Sequence, residues 1–218
     1  MLETIGKWDW LIWSCAGVVL GKYGRRYVEN VLTDQDWGER FWLMKPLVWE
    51  LINGLLWGVT AVLYESAADK IVFGLLSTLL LVIAAIDFCI YEIPPVLNGM
   101  IAGLGMIRIF ADLGHWPSYI TGSLLAGGIF LLVYLVTGKK GIGGGDIKLM
   151  AAAGLLLGAP KILYALFFGC VLAVLVQLPL KWIWKKNSTF ALGPYLALGI
   201  GLMVWFDDKI VQWEYLLG

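Results

Sequence analysis

Two aspartates stand at the edges of long apolar runs, and their surroundings set what chemistry they can do. Asp146 ends the run Gly143-Gly144-Gly145-Asp146 and is followed by Ile147-Lys148, while Asp87 closes the apolar stretch Leu75 to Ile86. A carboxylate beside hydrocarbon is expensive and commonly marks a functional site. If two such groups come within a few ångströms they cannot both ionise freely. They then share a proton, so that one takes a proton from water while the other donates to a carbonyl, which is the chemistry of aspartic proteolysis. Glycine at 143, 144 and 145 allows positive φ and close approach of another backbone, although a glycine-rich turn between two membrane helices has the same composition. Other catalytic chemistries find little support. His115 is the single histidine, Cys15, Cys89 and Cys170 are widely spaced, and no serine or cysteine has a candidate base nearby in sequence. These residue types make neither a metal ligand set nor a histidine-based triad, so no metal and no cofactor is implied.

The elements that must carry the two carboxylates are helices in a bilayer. With 60% hydrophobic residues in 218 and no long polar segment, a water-soluble globule is excluded, and a formal net charge of zero offers no basic face for nucleic acid. Apolar runs at 10–20, 46–64, 71–87, 96–111, 118–137, 147–158, 161–180 and 190–206 predict an all-α membrane protein of about eight transmembrane helices. The first run lacks a small-residue cleavage site and holds Trp10 and Trp13, so it reads as a retained helix. The polar stretch over 25–46 reads as a cytoplasmic loop. Eleven lysines and arginines (Lys22, Arg25, Arg26, Arg40, Lys45, Lys139, Lys140, Lys148, Lys181, Lys185 and Lys186) fall on one side of this topology, and four (Lys7, Lys70, Lys161 and Lys209) on the other. The positive-inside rule then puts both aspartates on the cytoplasmic side of a multi-pass protein of the cytoplasmic (inner) membrane. That count requires 147–158 to cross, although twelve helical residues reach only about 18 Å.

The ordered set of Asp87, Ile93-Pro94, the Gly143-Gly144-Gly145-Asp146-Ile147-Lys148-Leu149 segment and Phe190-Ala191-Leu192-Gly193-Pro194-Tyr195 resembles the GxGD aspartic proteases of the type IV prepilin peptidase family. The resemblance runs from about Leu75 to the C-terminus. It implies a GxGD aspartic protease fold over one polytopic domain, 1–218, with Asp87 and Asp146 as the catalytic pair. It further implies Gly143, Gly144, Gly145, Lys148, Gly193 and Pro194 as substrate contacts. The activity implied is removal of the leader from a pilin-like precursor, one with a basic leader and an apolar N-terminal helix, in type IV pilus or protein secretion systems. Many bacterial members carry two CxxC pairs in the first loop, associated with N-methyltransferase activity. No cysteine stands between Cys15 and Cys89 here, so a short, peptidase-only form is expected. The sequence also departs from the family at Pro95, where an Asp or Asn usually follows the proline.

Several polar residues have plainer readings. Glu92 reads as a solvated loop charge and Asn98 as a capping or packing residue of the next helix. Glu50, Asn53 and Arg108 lie inside predicted helices, where such groups are usually paired, and Glu50 and Arg108 can pair with each other or reach the interface. Small residues at Gly99, Gly103, Gly105, Gly122, Gly127 and Gly128 predict close helix packing. Two other functions compete. A presenilin-type GxGD protease would carry Tyr-Asp and Pro-Ala-Leu motifs where this chain has Ile86-Asp87 and Gly193-Pro194. A proton-coupled transporter using both aspartates as carriers would show solute flux without proteolysis.

Overall fold

Proline sets many of the helix starts. Pro46, Pro95, Pro117 and Pro194 each occupy the first or second position of a helix, where the missing N–H removes no internal hydrogen bond. The computed structural model describes residues 2–33, 45–138, 141–184 and 191–206. Among them are eight helices and no strand: α1 (Leu2–Val31), α2 (Pro46–Leu63), α3 (Ala67–Ile90), α4 (Pro95–Ala111), α5 (Trp116–Val136), α6 (Gly144–Leu157), α7 (Ala159–Trp184) and α8 (Gly193–Trp205). The protein is therefore an all-α membrane protein. Four helices are long and apolar enough to cross a membrane (α2, α3, α5 and α7 as far as Pro179), whereas α4 and α8 are apolar but shorter. Pro95 now has a physical account, since it is the first residue of α4 and its ring fixes the backbone dihedral that the helix needs there.

The chain divides into two compact units, Met1–Cys89 and Ile90–Gly218. In the first, α1 and α2 are antiparallel and meet through small residues. A Cβ on Gly17 would lie 2.7 Å from the Trp57 side chain, and one on Gly54 would lie 2.7 Å from Val18. Along this seam α2 donates polar contacts to neighbouring backbone and side chain. Trp49 Nε1 reaches the Gly21 carbonyl at 2.8 Å, Asn53 Nδ2 the Gly17 carbonyl at 2.6 Å, and Trp57 Nε1 the Thr78 hydroxyl of α3 at 2.9 Å. The expectation that Asn53 would be paired holds. Helix α3 runs parallel to α1: Lys70 pairs with Asp9 near its start, and Val82 packs on Gly24 farther along. Helix α1 continues through Arg25, Arg26 and Glu29, where the sequence reads as loop. Its buried Val28 and Leu32 continue the inward face, and Arg25 pairs with Glu29 one turn on. Residues 34–44, which include the rest of that polar stretch and Arg40, lie outside the described residues, as do Lys139, Lys140, Lys185, Lys186 and Lys209.

In the second unit α6 is the central element, touching α4, α5, α7 and α8. Its 14 residues span about 21 Å, too short for a hydrocarbon core of about 30 Å, but protein surrounds it on most sides. Backbone meets backbone at its crossings. A Cβ on Gly154 would lie 2.5 Å from the Gly122 carbonyl oxygen of α5, one on Gly122 would lie 2.6 Å from Gly158, and one on Gly105 of α4 would lie 3.0 Å from Leu155. Gly127 faces Ala151 at 2.9 Å, while Gly99, Gly103 and Gly128 face open space, so only half of the small residues expected to pack do so against protein. Gly158, with φ 83°, turns the chain into α7, and Ser118 Oγ accepts the Ala159 N–H at 3.3 Å beside it. Helix α8 then lies antiparallel to α7, with Gly199 against the Ala165 carbonyl and Gly169 against Tyr195 and Leu196.

These crossings predict a sharp asymmetry among glycines. Gly154→Val should lower stability by about 3 kcal/mol or more, since its new atoms meet backbone that cannot rotate away. Gly128→Ala should stay within about 0.5 kcal/mol of the parent. Thermal unfolding in detergent micelles measures both.

Candidate active site

Asp146 is the third residue of α6, and the local sequence explains how it is held there. Three glycines precede it, so the backbone can enter the helix without side chains in the way, and Gly143 serves as the helix-capping residue. The Asp146 carboxylate turns back on its own helix start and accepts the Gly143 N–H on Oδ2 at 3.2 Å. This is the acidic half of a capping box, and it sits at the positive pole of the helix dipole. The side chain is only 7% exposed. Lys148, two residues on, points outward and is exposed, as are Gly143 and Gly144.

Gly145 is held from two sides by the entry to α4. A Cβ there would lie 3.0 Å from Cβ of Ile93, and its carbonyl accepts a hydrogen bond from Asn98 Nδ2 at 3.2 Å. Asn98 is 4% exposed. From sequence Asn98 reads as a capping or packing residue, and Ile93 only as part of the Ile93-Pro94 motif. A polar residue one turn after Pro95 in an apolar helix was the available signal. Gly144 has no neighbour within 4 Å of its virtual Cβ, so the three glycines are not equivalent. Gly193 is buried at the start of α8, followed by half-buried Pro194, and Tyr195 OH accepts from Gln177 Nε2 of α7 at 2.8 Å. Because α7 runs back alongside α5 and α8 is antiparallel to α7, the starts of α4, α6 and α8 come to one end of the second unit.

Asp87 belongs to the first unit, in the last turn of α3, and is 5% exposed. Buried Ile83 and Ile86 precede it and Phe88 beside it is 55% exposed, so α3 ends with one face in the core and one outside. Glu92, in the connection to α4, is exposed, as a solvated loop charge would be. Tyr91 beside it has φ 59°, a left-handed conformation at the C-terminal end of α3 that is usually taken by glycine.

A second polar group gathers at the opposite end of α4. Asp112 faces His115 Nδ1 at 2.9 Å and accepts the Tyr119 hydroxyl at 2.9 Å, with Arg108 also acting on both Asp112 and Tyr119. Arg108 thus acts on two groups within its own unit, Asp112 at the end of α4 and Tyr119 in α5. The His115 hydrogen bond, then that of Tyr119, holds the Asp112 carboxyl below the usual value. Among the described residues no three His, Cys, Asp or Glu side chains are grouped as a metal site would need.

Comparison with known proteins places these residues in a family context. Residues 74–178 match the type IV leader peptidase family. Similar proteins include the prepilin leader peptidase/N-methyltransferase of Bacillus subtilis (strain 168), 27% identical over 178 residues, covering 80% of this chain and 71% of that protein. Proteins of the same name from Neisseria gonorrhoeae (29% identical, 77% of this chain and 60% of that protein) and Pseudomonas putida (30%, 79% and 62%) also match. The chain thus spans less than two thirds of the length of the latter two. No solved structure matches it.

The Asp112 cluster gives a prediction with a definite sign. A carboxyl whose folded value is lowered stabilises the fold above its unfolded value of about 3.9 and loses that contribution as pH falls through the lowered value. Amide protection at residues 112–119, taken relative to the intrinsic exchange rate at each pH, should therefore show no contribution from Asp112 titration between about pH 5 and pH 8, and should fall modestly below about pH 3.9. Asp112→Asn should remove the acid-induced change.

Proposed function

Since residues 74–178 match the type IV leader peptidase family, we propose that the chain is a member of it, a membrane aspartic endopeptidase that removes the leader from pilin-like precursors at the cytoplasmic face of the membrane. The observation that carries the reading is Asp146 itself: a buried carboxylate at the third position of a helix, reached through three glycines and held by the backbone at its own helix start. Asp87 is the second member of the pair. The two carboxyls share one proton: one takes a proton from the attacking water while the other gives the shared proton to the scissile carbonyl oxygen. Water adds to the carbonyl carbon, and collapse of the tetrahedral intermediate breaks the C–N bond with proton return to the amine.

The substrate fits the same reading. A precursor with a basic leader and an apolar helix presents its scissile bond at the membrane edge, where a peptide can open from the helix without being drawn into hydrocarbon. Exposed Gly143 and Gly144 put no side chain in the way of that opened strand and Lys148 stands beside them; Gly193 and Pro194, at the start of α8, are the further contacts of this reading. The relatives carry a methyltransferase name as well. The absence of cysteine between Cys15 and Cys89 supports a peptidase without the zinc-binding loop, so cleavage should persist in chelator.

Asp87→Asn and Asp146→Asn should each reduce cleavage of a pilin-like precursor in proteoliposomes by at least about a hundredfold. Unfolding temperatures should stay close to the parent, and leader loss is read by mass spectrometry. Near-parental cleavage by either variant removes that residue from the pair. Topology has its own check: Ile142→Cys and Phe88→Cys should react with a membrane-impermeant thiol reagent applied from the cytoplasmic side. Reaction of both from the outside only would overturn the leader-cleavage reading.

A further inference from the structure

We propose that Asn98 is a positioning residue of this peptidase, holding the Gly145–Asp146 peptide in the one orientation that presents the Asp146 carboxylate to its substrate. The kinetic part of this proposal rests on the peptidase reading above; the structural part does not. Asn98 lies one turn into α4 and is 4% exposed, and its Nδ2 donates to the Gly145 carbonyl at 3.2 Å. That carbonyl can only accept, so the amide orientation is fixed by chemistry: the NH2 group faces Gly145 and Oδ1 faces away. Oδ1 is buried and has no protein partner among the described residues.

A buried acceptor without a protein partner is a cost to the fold, and asparagine is a poor residue for a helix interior. Leucine would fill nearly the same volume without either penalty. Asn98 is therefore explained by its donor, which makes its one hydrogen bond to another helix among the described residues. What the donor holds is the peptide group immediately before Asp146. Ile93 presses on the other side of the same residue, where a Cβ would sit 3.0 Å from its own Cβ. Gly145 is thus gripped at Cα and at its carbonyl oxygen, while the next side chain bonds back to Gly143. Rotation of this peptide would break the Asn98 contact and swing Asp146 off its cap. Misplacing a reacting group by about 1 Å can cost on the order of a hundredfold in rate.

Two variants test the proposal, one of them through its dependence on pH. Asn98→Leu removes the donor and keeps the packing; amide exchange at residues 143–147 should rise at least about tenfold, with 149–157 unchanged. In the cleavage assay kcat should fall by about a hundredfold while KM stays within about threefold. Asn98→Asp keeps the shape, but its carboxyl can donate to the Gly145 carbonyl only when protonated. Its kcat relative to the parent at the same pH should therefore be low at pH 8 and recover at least about tenfold by pH 5. Using the ratio cancels the titration of groups common to both proteins, Asp146 among them. Unchanged exchange at 143–147 in Asn98→Leu overturns the clamp. A parental kcat in that variant, a loss confined to KM, or a pH-independent ratio in Asn98→Asp overturns its role in catalysis. A parent protein that cleaves no precursor overturns the proposed function instead, and the exchange experiment then decides the clamp alone.

Discussion

The second unit depends on how close two backbones can come. Helix α6 crosses α5 where Gly154 meets Gly122 and crosses α4 where Gly105 meets Leu155. At such crossings van der Waals contact replaces the hydrophobic drive that lipid does not provide, and it works only while no side chain intervenes. The run Ala151-Ala152-Ala153-Gly154 is narrow for this reason. A helix that thin can be enclosed by four others, and enclosure lets it be short. Protein carries the burial that lipid-facing length supplies elsewhere. The start of α6 therefore lies among the starts of α4 and α8, where a carboxylate can have backbone neighbours.

The first unit meets the same requirement by another route. Its helices also approach through glycine, at 17, 21 and 54, but the seam is reinforced by indole and amide donors from Trp49, Asn53 and Trp57. Donors from large side chains fix the rotation of α2 about its axis as well as its distance from α1 and α3. In hydrocarbon each of these donors must find an acceptor, and each has one within the unit. The Asp9–Lys70 pair sits near the first turns of α1 and α3, far along both from Asp87.

Much of the fold was legible because hydrocarbon imposes a simple rule on sequence. Apolar runs mark all eight helices in order. The boundary of α1 was misread for a physical reason. Charge was taken to end the helix, whereas buried Val28 and Leu32 carry its inward face past Arg25 and Arg26. The two aspartates stand out in the sequence by their position at the edge of apolar runs, and the structure buries each of them. Asn98 does not stand out, since a single asparagine in an apolar helix looks the same whether it caps, packs or reaches a neighbour; only the three-dimensional course of α4 brings it to Gly145. The glycines were legible as a class but not one by one. Gly105, Gly122 and Gly127 face protein, while Gly99, Gly103 and Gly128 do not, because the sequence does not reveal which side of a helix meets a partner.

Helix α6 is fixed at both ends, by Asn98 and Ile93 on Gly145 and by the Gly154 crossing with the Gly158 turn behind it. Between those two anchors the residue count acts as a ruler. Adding or removing one residue would advance the helix by 1.5 Å and rotate one anchor against the other by about 100°. No side-chain adjustment absorbs a turn of that size. The length of the interval from Gly145 to Gly154 therefore helps set where the Asp146 carboxylate stands, as its capping contact does.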